Sequence, residues 1–279
     1  MDKQEDKYAD INGNKIRYWS DGEKGGNVIL IHGLGGSVEK EWRYTFGPLS
    51  EHCKVYGLDM LGSGLSDKPN IPCSLETGAR DVKDFMDEVR IDRATLVGLS
   101  MGGGVSLQFA TQFQDRLEKL VIVDSACLGR KVHPGLKVLS APLIGNILMK
   151  PGLSHSERIW RSVVYDPAAV KDDLIEADHK LAVMPGFTSA FLRALRSGCG
   201  VRGIRPRVYK AILGGLGSIK KQTLIIWGKQ DPLIPVEYAY TANEKIPGSQ
   251  LHIFDKCGHV PPVEYPDKFV NIVSEFISR

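Results

Sequence analysis

Short apolar runs punctuate the chain at residues 28–31, 54–58, 94–97, 120–123, 223–227 and 251–254. A strand with one wet face alternates apolar and polar positions, so near-continuous runs of this length predict strands covered on both faces of a parallel sheet. Between the runs the period changes. Ala79, Val82, Phe85, Met86 and Val89 recur three and four apart, which predicts a helix over 76–89, and similar spacing predicts helices over 102–113 and 262–277. Residues 8–19 carry Asn12-Gly13 between two strand-like arms, the signature of a hairpin.

The alternation stops between Cys127 and about Lys220, where helix-like pieces are separated by Pro134, Pro142, Pro151, Pro167, Pro185 and Pro206. The pattern predicts an α/β fold with a mostly parallel central sheet flanked by helices. Its core is expected to form from residues 1–126 and 221–279, interrupted by a helical cap over 127–220.

With 279 residues, 42% hydrophobic and 25% charged, the chain has the balance of an ordinary globular protein, long enough for a sizeable core. Its 36 basic and 33 acidic residues are interspersed. They form no basic stripe to neutralise phosphates, so nucleic acid is not an expected partner. The polar start, Met1-Asp-Lys-Gln-Glu-Asp-Lys-Tyr8, lacks the apolar stretch of a secretory signal, and the mature chain is expected to begin near residue 1. The apolar stretch over 138–149 is broken by Ser140, Pro142, Gly145 and Asn146 and falls short of the ~20 residues that span a bilayer. Five cysteines without a C-x-x-C pair read as thiols in a reducing cytoplasm.

Gly98-Leu-Ser-Met-Gly102 fits G-x-S-x-G, with a strand expected directly before it and a helix directly after. That is the setting of a serine presented on a sharp strand-to-helix turn. A serine hydroxyl is a poor nucleophile until a base, itself oriented by a carboxylate, takes its proton. In an open α/β sheet such partners meet only beyond the carboxyl ends of the strands. Asp231, after the strand at 223–227, and His259, after that at 251–254, meet this condition. The order Ser100, Asp231, His259 is that of a hydrolase triad. Asp124 also follows a strand and is the competing acid, ranked below Asp231, while Asp255 belongs to the end of its strand.

His32-Gly-Leu-Gly-Gly36 follows the first parallel strand, so its amides fall at the same sheet edge as Ser100. The N–H groups of Leu34 and Met101 are the expected oxyanion donors. The same glycines do not make a dinucleotide site, because the third glycine of G-x-G-x-x-G falls on Val38. No phosphate loop or H-E-x-x-H motif occurs, and Cys257-Gly-His259 alone is too sparse for a metal site. Neither metal nor cofactor is expected.

His32-Gly33, Asp59-Met-Leu-Gly-Ser-Gly-Leu-Ser-Asp67, Gly98-Leu-Ser-Met-Gly-Gly103, Trp227-Gly-Lys-Gln-Asp231 and Gly258-His-Val-Pro-Pro-Val-Glu264 together resemble the α/β-hydrolase superfamily, in its branch with a helical cap. The resemblance spans nearly the whole chain. It implies Ser100 as nucleophile, His259 as general base, Asp231 as orienting acid, and Leu34 and Met101 as oxyanion donors. A serine at the elbow argues against the related haloalkane dehalogenases and epoxide hydrolases, which place an aspartate there, and Met101 stands where proline iminopeptidases usually carry Trp.

The expected activity is that of a carboxylesterase cleaving small to medium esters through an acyl-serine. The alternative is a C–C bond hydrolase of meta-cleavage products, a group that shares the Ser-Met-Gly-Gly elbow but typically has Asn and Trp where this chain has Leu99 and Val260. A third reading is a ligand receptor that keeps a slow hydrolase site. Trp160, Met184, Phe187, Phe191 and Leu192 of the cap are expected to line an apolar pocket over the serine. Arg193, Arg196, Arg202 and Arg205 are candidates for holding an acidic substrate group. The expected partner is a small-molecule substrate, with the protein a cytoplasmic monomer or homodimer.

Overall fold

A computed structural model describes residues 4–279; the polar start read at residues 1–3 lies outside the described residues. Ten strands form in chain order: β1 Lys7–Ile11, β2 Asn14–Asp21, β3 Asn27–Ile31, β4 Lys54–Leu58, β5 Ala94–Leu99, β6 Leu117–Val123, β7 Cys199–Gly200, β8 Gly203–Ile204, β9 Thr223–Gly228 and β10 Gln250–Phe254. Eight build one sheet in the order β1-β2-β4-β3-β5-β6-β9-β10, while β7 and β8 pair separately as a two-stranded ribbon. The pairings β1/β2 and β2/β4 are antiparallel and the rest of the large sheet is parallel. The expected α/β-hydrolase fold is thus present. Asn12 and Gly13 turn the first hairpin, both at positive φ, as a tight two-residue loop requires.

The parallel strands are buried as their apolar runs imply: every residue of β5 and β9 is buried, as is all of β3 after Asn27. Phe85, Met86 and Phe109 belong to one apolar cluster, and Trp42, Phe46 and Phe269 to another. The helix Leu75–Glu88 starts at a capping box in which Ser74 and Thr77 satisfy each other's backbone N–H. The helix expected over 262–277 is two pieces, Pro261–Glu264 and Pro266–Ser278. Tyr265 between them has φ −137° and ψ 58°, because the ring of Pro266 crowds the preceding residue out of the helical region.

Between β6 and β9 the chain forms helices at Pro134–Ser140, Ile144–Leu148, Leu153–Val163, Asp172–Ala182, Phe187–Gly198 and Pro206–Gly215. The last packs on Met101–Gln112, the helix that follows β5. That contact joins it to the layer covering the sheet. A helix on that layer has no strand signature by which sequence pattern would separate it from a cap. The five cysteines are free, and no helix of the described residues is long and apolar enough to cross a membrane.

Candidate active site

Four parallel strands and their order bring the singled-out side chains to one edge. Ser100 follows β5, Asp124 follows β6, Asp231 follows β9 and His259 follows β10. Ser100 sits at φ 55°, ψ −115°, outside the ordinary regions for a residue with a side chain. The strain is held by backbone bonds on both sides: Ser100 N–H donates to Val123 O (2.8 Å), and Ser100 O accepts from Ala126 N–H (2.8 Å). The turn closes only with glycine nearby. A Cβ on Gly98 would lie 2.3 Å from the Gly102 carbonyl oxygen, and one on Gly102 would lie 2.2 Å from that of Ile31.

His259 Nδ1 donates to Asp231 Oδ2 at 2.7 Å, with the Asp231 side chain fully buried. Asp231 Oδ1 accepts from the backbone N–H groups of Leu233 (2.7 Å) and Ile234 (3.1 Å), which fixes the orientation of the carboxylate. The free ring nitrogen of His259 is then the one able to act as a base. Burial opposes charging the ring, but Asp231, with Glu41 and Glu264 behind it, outweighs burial and raises the His259 pKa above the ordinary histidine value. Ser100 and His259 face the same cavity. No hydrogen bond joins them here, and such contacts commonly tighten only when substrate is bound.

The loop after β3 is set by the side chains of His32 and Glu41. Met60 N–H donates to His32 Nε2 (2.9 Å), so the ring proton is on Nδ1, where it donates to Gly33 O (2.7 Å). Glu41, buried, accepts the Gly33 N–H at 2.6 Å. With that amide committed, the N–H groups of Leu34 and Met101 are left without a protein partner among the described residues. Glu41 lies in the charged run Glu39-Lys-Glu41, which reads as a wet surface; only the buried Trp42 beside it signals otherwise.

Two cavities of about 440 and 720 Å³ meet at this edge, and both are lined by Leu34, Ser100, Leu136 and Leu233. Trp160, Phe187 and Phe191 line the larger one, as do Leu99 and Val260. Met184 and Leu192 line neither. Leu192 is one residue, a rotation of about 100°, from Phe191 on the helix Phe187–Gly198, and it packs into the cap against Gly145. Met184 lies just past the helix Asp172–Ala182, half-buried outside both cavities. The arginines also point elsewhere. Arg193 donates to Pro69 O, Arg196 to Ser140 O and Ala141 O, and Arg205 to Arg196 O, while Arg202 lines neither cavity.

The cap is tied directly to the site. His259 N–H donates to Val163 O (2.8 Å), and Glu264 bridges Gly258 N–H (2.8 Å) and Tyr165 N–H (2.7 Å). Lys40 donates to Gly35 O (2.9 Å) and pairs with Asp178 of the cap, both side chains largely buried. Lys40→Met strands Asp178 without its cation, so the expected loss is about 3 kcal/mol of stability in thermal or urea melts. A Lys40→Met/Asp178→Leu pair, which removes both charges, is expected to recover most of it. Equal losses in the single and double variants would show that the pair carries no such role.

The chain matches the Alpha/beta hydrolase family over residues 28–272 and belongs to it. It is 30% identical over 260 residues to the 2-hydroxy-6-oxo-2,4-heptadienoate hydrolase of Pseudomonas putida, covering 91% of this chain and 90% of that one. It is 29% identical over 284 residues to the 2-hydroxy-6-oxo-6-(2'-aminophenyl)hexa-2,4-dienoic acid hydrolase of Metapseudomonas resinovorans, covering 98% and 91%. The meta-cleavage product hydrolase of Pseudomonas fluorescens IP01 superimposes with a TM-score of 0.83 at 27% identity, covering 98% of this chain and 97% of that one. These relatives overturn the carboxylesterase expectation: they match over nearly their whole length and are named as hydrolases of 2-hydroxy-6-oxo-dienoates or of meta-cleavage products. Elbow, cap and triad order are common to both chemistries, so those motifs cannot separate them.

Proposed function

We propose that this protein hydrolyses a carbon–carbon bond in 2-hydroxy-6-oxo-dienoates, with Ser100, His259 and Asp231 as nucleophile, base and orienting acid. The observation that carries the reading is the end-to-end similarity to hydrolases named for such substrates, in a chain whose Ser100 stands where two cavities meet. A bond cleaved in the middle of an elongated molecule needs room on both sides of the nucleophile. Leu99 and Val260 make the wall of the larger chamber apolar and short at two positions beside the reacting groups.

In such a substrate the bond to be broken joins carbonyl C6 to C5, and a carbon leaving group needs a sink for its electron pair. Moving the 2-hydroxyl proton to C5 gives a 2-oxo-3-ene. His259 then takes the proton of Ser100, Oγ adds to C6, and the oxyanion is held by the Leu34 and Met101 amides. Collapse breaks C5–C6 and sends the pair through C3 and C4 to the C2 oxygen, which is protonated to a 2-hydroxydienoate. Water, deprotonated by His259, releases the acyl group as a carboxylic acid. The balance is one substrate and one water to two acids.

Product analysis tests this: 2-hydroxy-6-oxohepta-2,4-dienoate should yield acetate and 2-hydroxypenta-2,4-dienoate in equal amounts. Loss of the dienoate without acetate would refute it. Because His259 must be neutral to accept the proton and its pKa is raised, kcat/KM should fall on acidification with a midpoint above about 6.5. A profile flat from pH 8 to pH 5 would exclude His259 as the base.

A further inference from the structure

Asp124 is a second carboxylate inside the site that the mechanism above leaves unused. It is fully buried, and it holds φ 42°, a left-handed conformation that Asp and Asn tolerate better than most residues. One oxygen of Asp124, one of Asp231 and a ring nitrogen of His259 lie within 4.8 Å of one another. Asp124 Oδ1 accepts from Gly228 N–H at 2.9 Å, but its Oδ2, equally buried, has no donor.

Two adjacent carboxylates with neither Lys nor Arg paired to either among the described residues cannot both stay ionised cheaply. The donors distinguish the two. Asp231 receives three N–H groups, from Leu233, Ile234 and His259, whereas Asp124 receives one. As an anion, Asp124 Oδ2 would be an unsatisfied buried charge; as an acid, it has a proton to give and Asp231 beside it to accept. The remaining titratable groups near the pair, Glu264 and Cys257, add no positive charge.

We propose that Asp124 is held as a neutral carboxylic acid that donates its Oδ2–H to Asp231, making it a positioning residue for the acid that orients His259. It also stands ready to replace that acid: with Asp231 removed, Asp124 ionises and pairs with the same ring. Burial and the neighbouring Asp231 charge push the Asp124 pKa well up, in agreement with this protonation state. The proposal rests on the triad reading but not on the carbon–carbon substrate, so it is tested with whichever substrate the enzyme turns over, the dienoate or p-nitrophenyl acetate.

The sign of one shift separates the possibilities. Asn at 124 keeps the shape, tolerates the left-handed backbone and still offers an N–H toward Asp231. If Asp124 is neutral, Asp124→Asn removes no charge, and the acid limb of kcat/KM stays within about 0.3 pH unit of the parent. If Asp124 is ionised, the variant removes a negative charge beside His259, and the limb moves to lower pH by about one unit; that result would overturn the proposal. Carboxyl ¹³C NMR gives a readout independent of turnover: the resonance lost in Asp124→Asn should show a protonated carboxyl at pH 7, and one titrating below pH 5 would refute the assignment. For the replacement role, Asp231→Ala should retain about 10²-fold more activity than Asp231→Ala/Asp124→Asn. Equal activities of the two would overturn that role.

Discussion

Ser100→Ala should lower kcat/KM by about 10⁴-fold or more while substrate Kd stays within about threefold. The hydroxyl is small, Ser100 lies at the seam of two cavities, and most of their lining is contributed by other residues, so removing one oxygen leaves the binding surface in place. What it removes is the atom proposed to form the covalent bond. Residual activity would come from water held near the Leu34 and Met101 amides. The measurement is single-turnover decay of dienoate absorbance together with a binding titration. Retention of a tenth of the parent rate would mean that water, and not Ser100, attacks the carbonyl.

The second large effect comes from one methyl group. Gly102→Ala places a Cβ 2.2 Å from the Ile31 carbonyl oxygen and 2.6 Å from that of His32. Both are backbone atoms at the end of β3, where it runs into the loop that carries Leu34, so neither can rotate aside as a side chain would. The helix after Ser100 must move away from β3, separating the Met101 amide from that of Leu34. Overpacking of this kind costs about 2 kcal/mol or more, which lowers Tm by roughly 3–4 °C or more in a chain of this size. Misplacing donor and nucleophile by an ångström costs about 10²-fold in rate. Calorimetry and turnover on the same preparation check both figures, and unchanged values would show that β3 and the helix do not approach as closely as described.

Much of this frame is legible in the amino-acid order because the parallel strands are buried on both faces and cannot hide their apolar runs. Ser100, Asp231 and His259 could be singled out because each follows such a run, and the sheet carries all three to one edge. Other parts leave no local mark. Glu41 reads as one charge among several, and its burial depends on the Gly33 amide, eight residues away. In the sequence Asp124 is a rival acid that ranks below Asp231, whereas the structure sets the two carboxylates side by side, a relation between neighbouring strands that no spacing encodes. Cap residues are hardest to place. Phe191 and Leu192 are adjacent and both apolar, and only the packing of one helix decides which faces the cavity.

Which bond is cleaved decides the function, and relative kcat/KM on one preparation separates the two chemistries. 2-hydroxy-6-oxohepta-2,4-dienoate should be cleaved with a kcat/KM at least about 10³-fold above that for p-nitrophenyl acetate, both activities disappearing in Ser100→Ala. Comparable values, or a preference for the ester, would contradict it.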